Sequence, residues 1–150
     1  MSDTWIRLIP KDPNFIPDDE AISSAKAFFM NLFPDADEIR IHKTDEIRFY
    51  DCGSNFERVG CPECGQELDE IWWQERMSED WNDGFSLKEG ILPCCGVKKD
   101  LNALIYDWDQ GFARFGLDAM NLGVIEIRKE DFEALENILK CRLKQIRQHL

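Results

Sequence analysis

The sequence predicts an α+β fold, in which a mainly antiparallel sheet is flanked by a helix near each end of the chain. Three observations favour this class: short segments with alternating apolar residues, segments with helical periodicity near both ends, and two cysteine-bearing turns in the middle. With 150 residues, the chain is expected to form one domain, 1–150, whose cysteine turns hold an inserted excursion at about 52–100.

The first elements are predicted to be a strand and a helix. Residues 5–9 (Trp-Ile-Arg-Leu-Ile) are typical of a strand. An extended connector should follow, because three prolines restrict its backbone: Pro10, Pro13 and Pro17. Asp18 is a good N-cap for a helix that Pro34 ends. Its apolar residues recur at helical spacing, at Ile22, Ala25, Phe29 and Leu32.

A β-hairpin is predicted next. Residues 38–42 and 46–51 both alternate apolar and polar residues, and the short segment 43–45 between them favours a turn. His42 falls on the polar side of its strand, where a solvated side chain is the more common outcome.

The middle and the end of the chain are predicted to continue this mixture. Between the cysteine turns we expect a helix at 68–81, with Trp73, Met77 and Trp81 at four-residue steps, and a strand at 85–92.

Asp100 should cap a short turn, and strands are expected at 103–108, 111–117 and 124–128. A final helix, with a break near Cys141, is predicted from Phe132, Leu135, Leu139, Leu143, Ile146 and Leu150.

The charge distribution restricts the classes of partner. The net charge is −12, and residues 61–110 contain 12 acidic and only 4 basic residues. Such a surface repels phosphate backbones, so no nucleic-acid partner is expected, even though Trp72, Trp73 and Trp81 could stack on bases. An acidic surface is more often simply a well-solvated one, and the alternative is that it attracts a basic protein partner.

The location is predicted from two absences in the sequence. No apolar segment approaches the ~20 residues of a membrane span, so no membrane partner is expected. The first residues also lack the basic and apolar regions of a signal peptide. We therefore expect a cytoplasmic protein, in which the six cysteines are more often metal ligands or buried thiols than disulfides.

Four cysteines are predicted to bind one structural zinc ion: Cys61, Cys64, Cys94 and Cys95. Zn²⁺ takes four ligands tetrahedrally, and a Cys-x-x-Cys turn places two sulfurs on one side of the ion. Gly65, which follows the second cysteine of the first turn, permits the positive φ that such a turn needs. Backbone N–H groups of the turn can then support the thiolates.

The segment Cys61-Pro62-Glu63-Cys64-Gly65 resembles the knuckle of zinc-ribbon proteins. The second segment, Leu92-Pro93-Cys94-Cys95-Gly96, departs from that pattern. Aligned on proline and glycine, Cys95 matches the second knuckle cysteine, and Leu92 takes the place of the first. The fourth ligand is therefore open: Cys94 is preferred, with Cys52 or water as alternatives. Cys141 is expected to be a small buried residue.

Over its whole length, the chain is similar to members of a small family of uncharacterised bacterial proteins. The resemblance rests on Trp-Ile-Arg-Leu-Ile-Pro, Phe-Tyr-Asp-Cys-Gly-Ser-Asn-Phe-Glu, Cys-Pro-Glu-Cys-Gly and Tyr-Asp-Trp-Asp-Gln-Gly-Phe-Ala-Arg-Phe. It implies a bacterial cytosolic protein and no particular chemistry.

Two functional hypotheses follow from the residues. The preferred one is a protein-interaction module with a structural zinc, such as an immunity- or antitoxin-type inhibitor of a basic partner. The alternative is an enzyme that uses the cysteines for thiol exchange, or an open metal site with Glu63 or Asp51 as general base. No residue is assigned a catalytic role.

Overall fold

A computed structural model describes residues 2–124 and 126–150. In chain order its elements are β1 (Thr4–Pro10), α1 (Asp19–Leu32), β2 (Glu38–Tyr50), β3 (Arg58–Gly60), β4 (Glu67–Leu68), α2 (Glu70–Asp80), β5 (Gly90–Ile91), β6 (Lys98–Lys99), a 3-10 turn (Leu101–Ala103), β7 (Ile105–Asp107), β8 (Gly111–Met120), α3 (Lys129–Leu139) and β9 (Leu143–His149). The predicted α+β class, with mainly antiparallel sheets, is confirmed.

The main sheet has four strands in the order β2-β8-β1-β9, and every neighbouring pair is antiparallel. Helix α1 connects β1 to β2, and α3 connects β8 to β9. Each helix therefore joins two strands that have a third strand between them. This is the split β-α-β order of ferredoxin-like folds, with residues 51–110 inserted between β2 and β8. We call residues 51–110 the excursion.

Helices α1 and α3 cover one face of the sheet. Asp18 is the N-cap of α1, as predicted, and its carboxylate accepts a hydrogen bond from the Ala21 N–H at 2.7 Å. Ala25 and Phe29 of α1 are fully buried against the sheet and α3. The core on this face also includes Ile6, Leu8, Phe115, Leu117, Leu135 and Leu139.

The excursion has its own core, which it shares with the sheet. A small sheet in the order β4-β3-β7, the hairpin of β5 and β6, and α2 enclose this second cluster. Trp73 lies at its centre, stacks on Phe56 at 5.3 Å and donates a hydrogen bond from Nε1 to the Tyr106 hydroxyl. Ile47 and Phe112, from β2 and β8, belong to the same cluster, so the sheet and the excursion pack as neighbours.

The predicted β-hairpin at 38–51 is wrong. Residues 38–50 form the single strand β2, which pairs with β8. The register shifts where Lys43 lies opposite Phe115 and Arg48 lies opposite Ala113, so several residues of β2 bulge out at this point. Apolar and polar residues alternate in the same way in one bulged strand and in two short strands. The pairing of β2 with β8, which is distant in sequence, decides between the two structures.

The predicted final helix is correct only in its first half. Helix α3 ends at Leu139, and Lys140 adopts the left-handed conformation with φ of 61°. Residues 143–149 then form β9, which pairs with β1 along its whole length. Leu143 and Ile146 have helical spacing, yet they belong to different cores on opposite faces of the sheet.

The remaining elements differ mainly in length. The helix predicted at 68–81 is confirmed as α2, and the strand predicted at 85–92 is reduced to β5. Residues 86–88 of this predicted strand instead bind the buried Asp80 carboxylate, which accepts hydrogen bonds from Ser86 Oγ and the N–H groups of Leu87 and Lys88. Of the strand predicted at 124–128, residue 125 lies outside the described residues, and its described neighbours form no strand.

None of the helices in the described ranges has both the length and the apolar character needed to cross a bilayer.

Candidate metal centre

The first cysteine turn connects β3 to β4. The Cys61 N–H donates to the Gln66 carbonyl at 2.9 Å, and the Gly65 N–H donates to the Cys61 carbonyl at 3.0 Å. Gly65 has φ of 75°, which a side-chain-bearing residue rarely adopts. This turn places Cys61 and Cys64 on the same side, with the Cys64 N–H 3.5 Å from the Cys61 sulfur.

The second turn connects β5 to β6 and has the same backbone. The Leu92 N–H donates to the Val97 carbonyl at 2.9 Å, and the Gly96 N–H donates to the Leu92 carbonyl at 3.0 Å. Gly96 has φ of 78°. The hydrogen bonds therefore place Leu92 where the first turn has Cys61, as the alignment on proline and glycine predicts. By the same correspondence, Cys94 takes the position of Glu63, and Cys95 that of Cys64.

The structure brings the four predicted sulfurs together: the Sγ atoms of Cys61, Cys64, Cys94 and Cys95 all lie within 4.8 Å of one another. The Cys61–Cys95 distance is 3.8 Å, and the Cys94–Cys95 distance is 3.9 Å. Four sulfurs placed tetrahedrally at about 2.3 Å from an ion are about 3.8 Å apart. The sulfur spacing and the donor chemistry thus fit one tetrahedral metal ion.

Cys94 reaches this cluster from the variable position of its turn. In the first turn that position holds Glu63, whose carboxylate pairs with Lys99 of β6 at 3.0 Å. Cys52, the alternative fourth ligand, lies elsewhere: it is fully buried, and both its N–H and its thiol donate to Gln110 Oε1. The geometry therefore groups Cys94, and not Cys52, with the other three cysteines.

The thiols of the cluster differ in acidity. The pKa of Cys61 is lowered to about 7, chiefly by the hydrogen bond from the Cys64 N–H. Desolvation and then hydrogen bonds with the neighbouring thiols raise the pKa of Cys94 to about 12. Thiolates are the form that binds metal, so the backbone of the first turn favours the ligand form of Cys61.

The two general bases considered from the sequence are engaged in other contacts. Glu63 pairs with Lys99, as described above. Asp51 accepts hydrogen bonds from Arg7 at 3.3 Å, from Gln148 at 3.1 Å and from the Gly53 N–H at 2.9 Å. Trp73, one of the three tryptophans considered for base stacking, is buried in the core of the excursion.

The buried Asp118 carboxylate on the main sheet was not predicted from the sequence. Asp118 is 3% exposed, and its Oδ2 lies 3.0 Å from His42 Nε2 and 3.2 Å from Arg7 Nε. His42 is therefore a partner of a buried carboxylate, and not only a solvated strand residue. The available signal was an aspartate within the mainly apolar strand β8.

No protein-family model, curated protein or solved structure matches this chain. The resemblances to zinc-ribbon knuckles and to the bacterial family stay predictions.

Proposed function

We propose that the protein is a protein-interaction module whose excursion is held by one structural zinc ion. Its partner is a basic protein, as for an inhibitor of the immunity or antitoxin type. The observation that carries the proposal is the set of four sulfurs within 4.8 Å, contributed by two turns of the excursion.

The donor set supports zinc. A tetrahedral set of four thiolates suits zinc or iron, and structural zinc sites commonly use four cysteines. Such an ion would join the β3–β4 turn to the β5–β6 turn, which are about thirty residues apart in sequence. A structural role follows because four protein sulfurs complete a tetrahedral shell, whereas catalytic zinc keeps one position for water or substrate.

The surface of the excursion supports a protein partner. Residues 61–110 contain 12 acidic and 4 basic residues. Ile71, Ile91 and Ile105 of the same segment are 66%, 64% and 51% exposed. The negative charge would direct the association of a basic partner, and these exposed isoleucines would then add apolar contact area.

The proposal is tested by affinity purification with the full chain as bait, at about 50 mM and about 500 mM salt. We expect a basic protein to be retained at low salt and lost at high salt. Replacing Glu70 and Glu75, both exposed on α2, with glutamine should weaken retention. A matched control replaces Glu130 and Glu133, both exposed on α3, and should have little effect.

Two outcomes would refute the interaction role. One is the absence of a retained protein at low salt, and the other is equal loss of the partner in both double variants. Metal analysis of the same sample tests the zinc separately, since iron in place of zinc would contradict only that part of the proposal.

A further inference from the structure

A cavity of about 560 Å³ lies beside β9, the edge strand of the main sheet, and outside the cysteine cluster. It is formed by side chains of β1 and β9, by the loop that follows β8, and by Trp108 from the end of the excursion. Its volume falls within the ~300–1,000 Å³ range of small-molecule sites.

The lining of this cavity lacks the acidic side chains that dominate the molecule. The chain has 30 acidic and 18 basic residues. Among the described residues that line the cavity there is no carboxylate, whereas Arg147 contributes a guanidinium and His149 an imidazole. A lining of this kind favours a neutral or anionic ligand.

The walls of the cavity offer apolar and aromatic surface. Trp108 is 41% exposed and Val124 is 44% exposed, so both present apolar surface to the cavity that they line. The Arg147 guanidinium lies 5.5 Å from the centre of the Trp108 ring. A guanidinium placed over an aromatic ring thus lines this cavity.

Arg147 has donors for a ligand. Its Nη2 pairs at 3.2 Å with Glu126, a residue that lines the neighbouring hollow. A guanidinium carries five N–H donors, and this ion pair uses the Nη2 group alone. Arginine and a carboxylate form strong, often bidentate, hydrogen bonds.

We propose that this cavity binds a small aromatic carboxylate. The ring would pack against Trp108 and Val124, and the carboxylate would bind Arg147. This site is independent of the proposed zinc and of the protein partner, because neither the cysteine cluster nor the α2 surface contributes to it.

The test uses the full chain and the indole N–H signals of its five tryptophans in a ¹H–¹⁵N NMR spectrum. Trp108→Phe assigns the signal of Trp108, and Trp81→Phe assigns that of Trp81, which is exposed and lies outside the cavity. Phenylacetate is titrated as the probe, with phenylacetamide as its neutral counterpart. We expect phenylacetate to shift the Trp108 signal in a saturable way and to leave Trp81 unchanged.

Arg147→Gln is expected to weaken phenylacetate binding by about tenfold or more, because it removes a charge-assisted contact, and to leave phenylacetamide binding unchanged. Arg40→Gln is the matched control, since the Arg40 guanidinium lies 4.8 Å from the Trp5 ring in a second arginine–tryptophan pair. It changes the net charge equally and should have no effect. The proposal is overturned if the Trp108 signal does not move, if Trp81 shifts as much, or if both arginine variants weaken binding equally.

Discussion

Leu92 occupies, in the second cysteine turn, the backbone position that Cys61 occupies in the first. Each residue donates its N–H to the carbonyl five residues later and accepts the N–H of the glycine four residues later. Both side chains are buried in the same core, at 2% and 0% exposure. Leucine at this position packs in the core and provides no sulfur. The second turn therefore supplies Cys94, besides Cys95, as its second thiol.

Replacing Cys94 with serine should therefore disrupt the metal site. Loss of outer-shell partners already weakens metal affinity by about 10- to 100-fold, so loss of a ligand should weaken zinc retention by more than about 100-fold. Competition with a chromophoric chelator measures this. Cys52→Ser is the matched control, and it should retain zinc like the unmodified chain, because Cys52 binds Gln110. Equal loss in both variants would show that the four sulfurs have been assigned wrongly.

Asp118→Asn should destabilise the main sheet. The carboxylate is 3% exposed and contacts Arg7, whose side chain is 14% exposed and whose second carboxylate partner is Asp51 at 3.3 Å. The variant removes the more buried of these two charge partners, so we expect a loss of about 2 kcal/mol in the free energy of unfolding, measured by urea denaturation.

Asp19→Asn provides the control for Asp118→Asn. Asp19 pairs with Lys43 at 3.0 Å, but its side chain is 90% exposed. The loss should therefore stay below about 1 kcal/mol. Similar losses for the two variants would contradict a stabilising role for the buried pair.

Alkaline pH should lower stability partly through Cys52. Desolvation raises the pKa of Cys52 from an ordinary value of 9.0 to about 11. The folded chain holds this proton more tightly than the unfolded chain, so the contribution is complete below about pH 9 and is lost as pH rises towards 11. The free energy of unfolding should fall more between about pH 8 and pH 10 in the unmodified chain than in Cys52→Ala. Identical slopes would contradict this assignment.

Lys140→Gly should stabilise the protein. Lys140 ends α3 with φ of 61°, a left-handed conformation that costs a non-glycine residue about 1 kcal/mol. Glycine removes this cost, so the free energy of unfolding should rise by up to about 1 kcal/mol. Glu133→Gly, at an exposed position within the same helix, should lower it by about 1 kcal/mol. A decrease in both variants would refute the strain at Lys140.

Local signals were sufficient for much of the fold. The cap at Asp18, the helical spacing of Ala25 and Phe29, and the proline–glycine turns each act within a few residues, and the structure has the elements that they predict. Strands β2 and β9 could not be predicted in this way, because their pairing depends on β8 and β1, which are distant in sequence. Residues 143–149 have a helical pattern, yet their two buried apolar side chains face opposite sides of a sheet.

The candidate site was predictable to a similar degree. Its first turn follows from five consecutive residues, and the correspondence of Leu92 with Cys61 follows from proline and glycine. Cys94 joins the cluster, whereas Cys52 does not. This outcome depends on how the β5–β6 hairpin packs against the first turn. The Asp118 group required knowledge of which strands are neighbours, and the cavity at Trp108 required the end of the excursion to be placed beside β9.

We propose that Cys61, Cys64, Cys94 and Cys95 together hold one zinc ion. Elemental analysis combined with zinc X-ray absorption spectroscopy on the purified full chain tests it most directly. The result we predict is one zinc per chain, with four sulfur neighbours at about 2.3 Å. A chain without zinc, or a zinc shell in which oxygen or nitrogen replaces any of the four sulfurs, would contradict the claim.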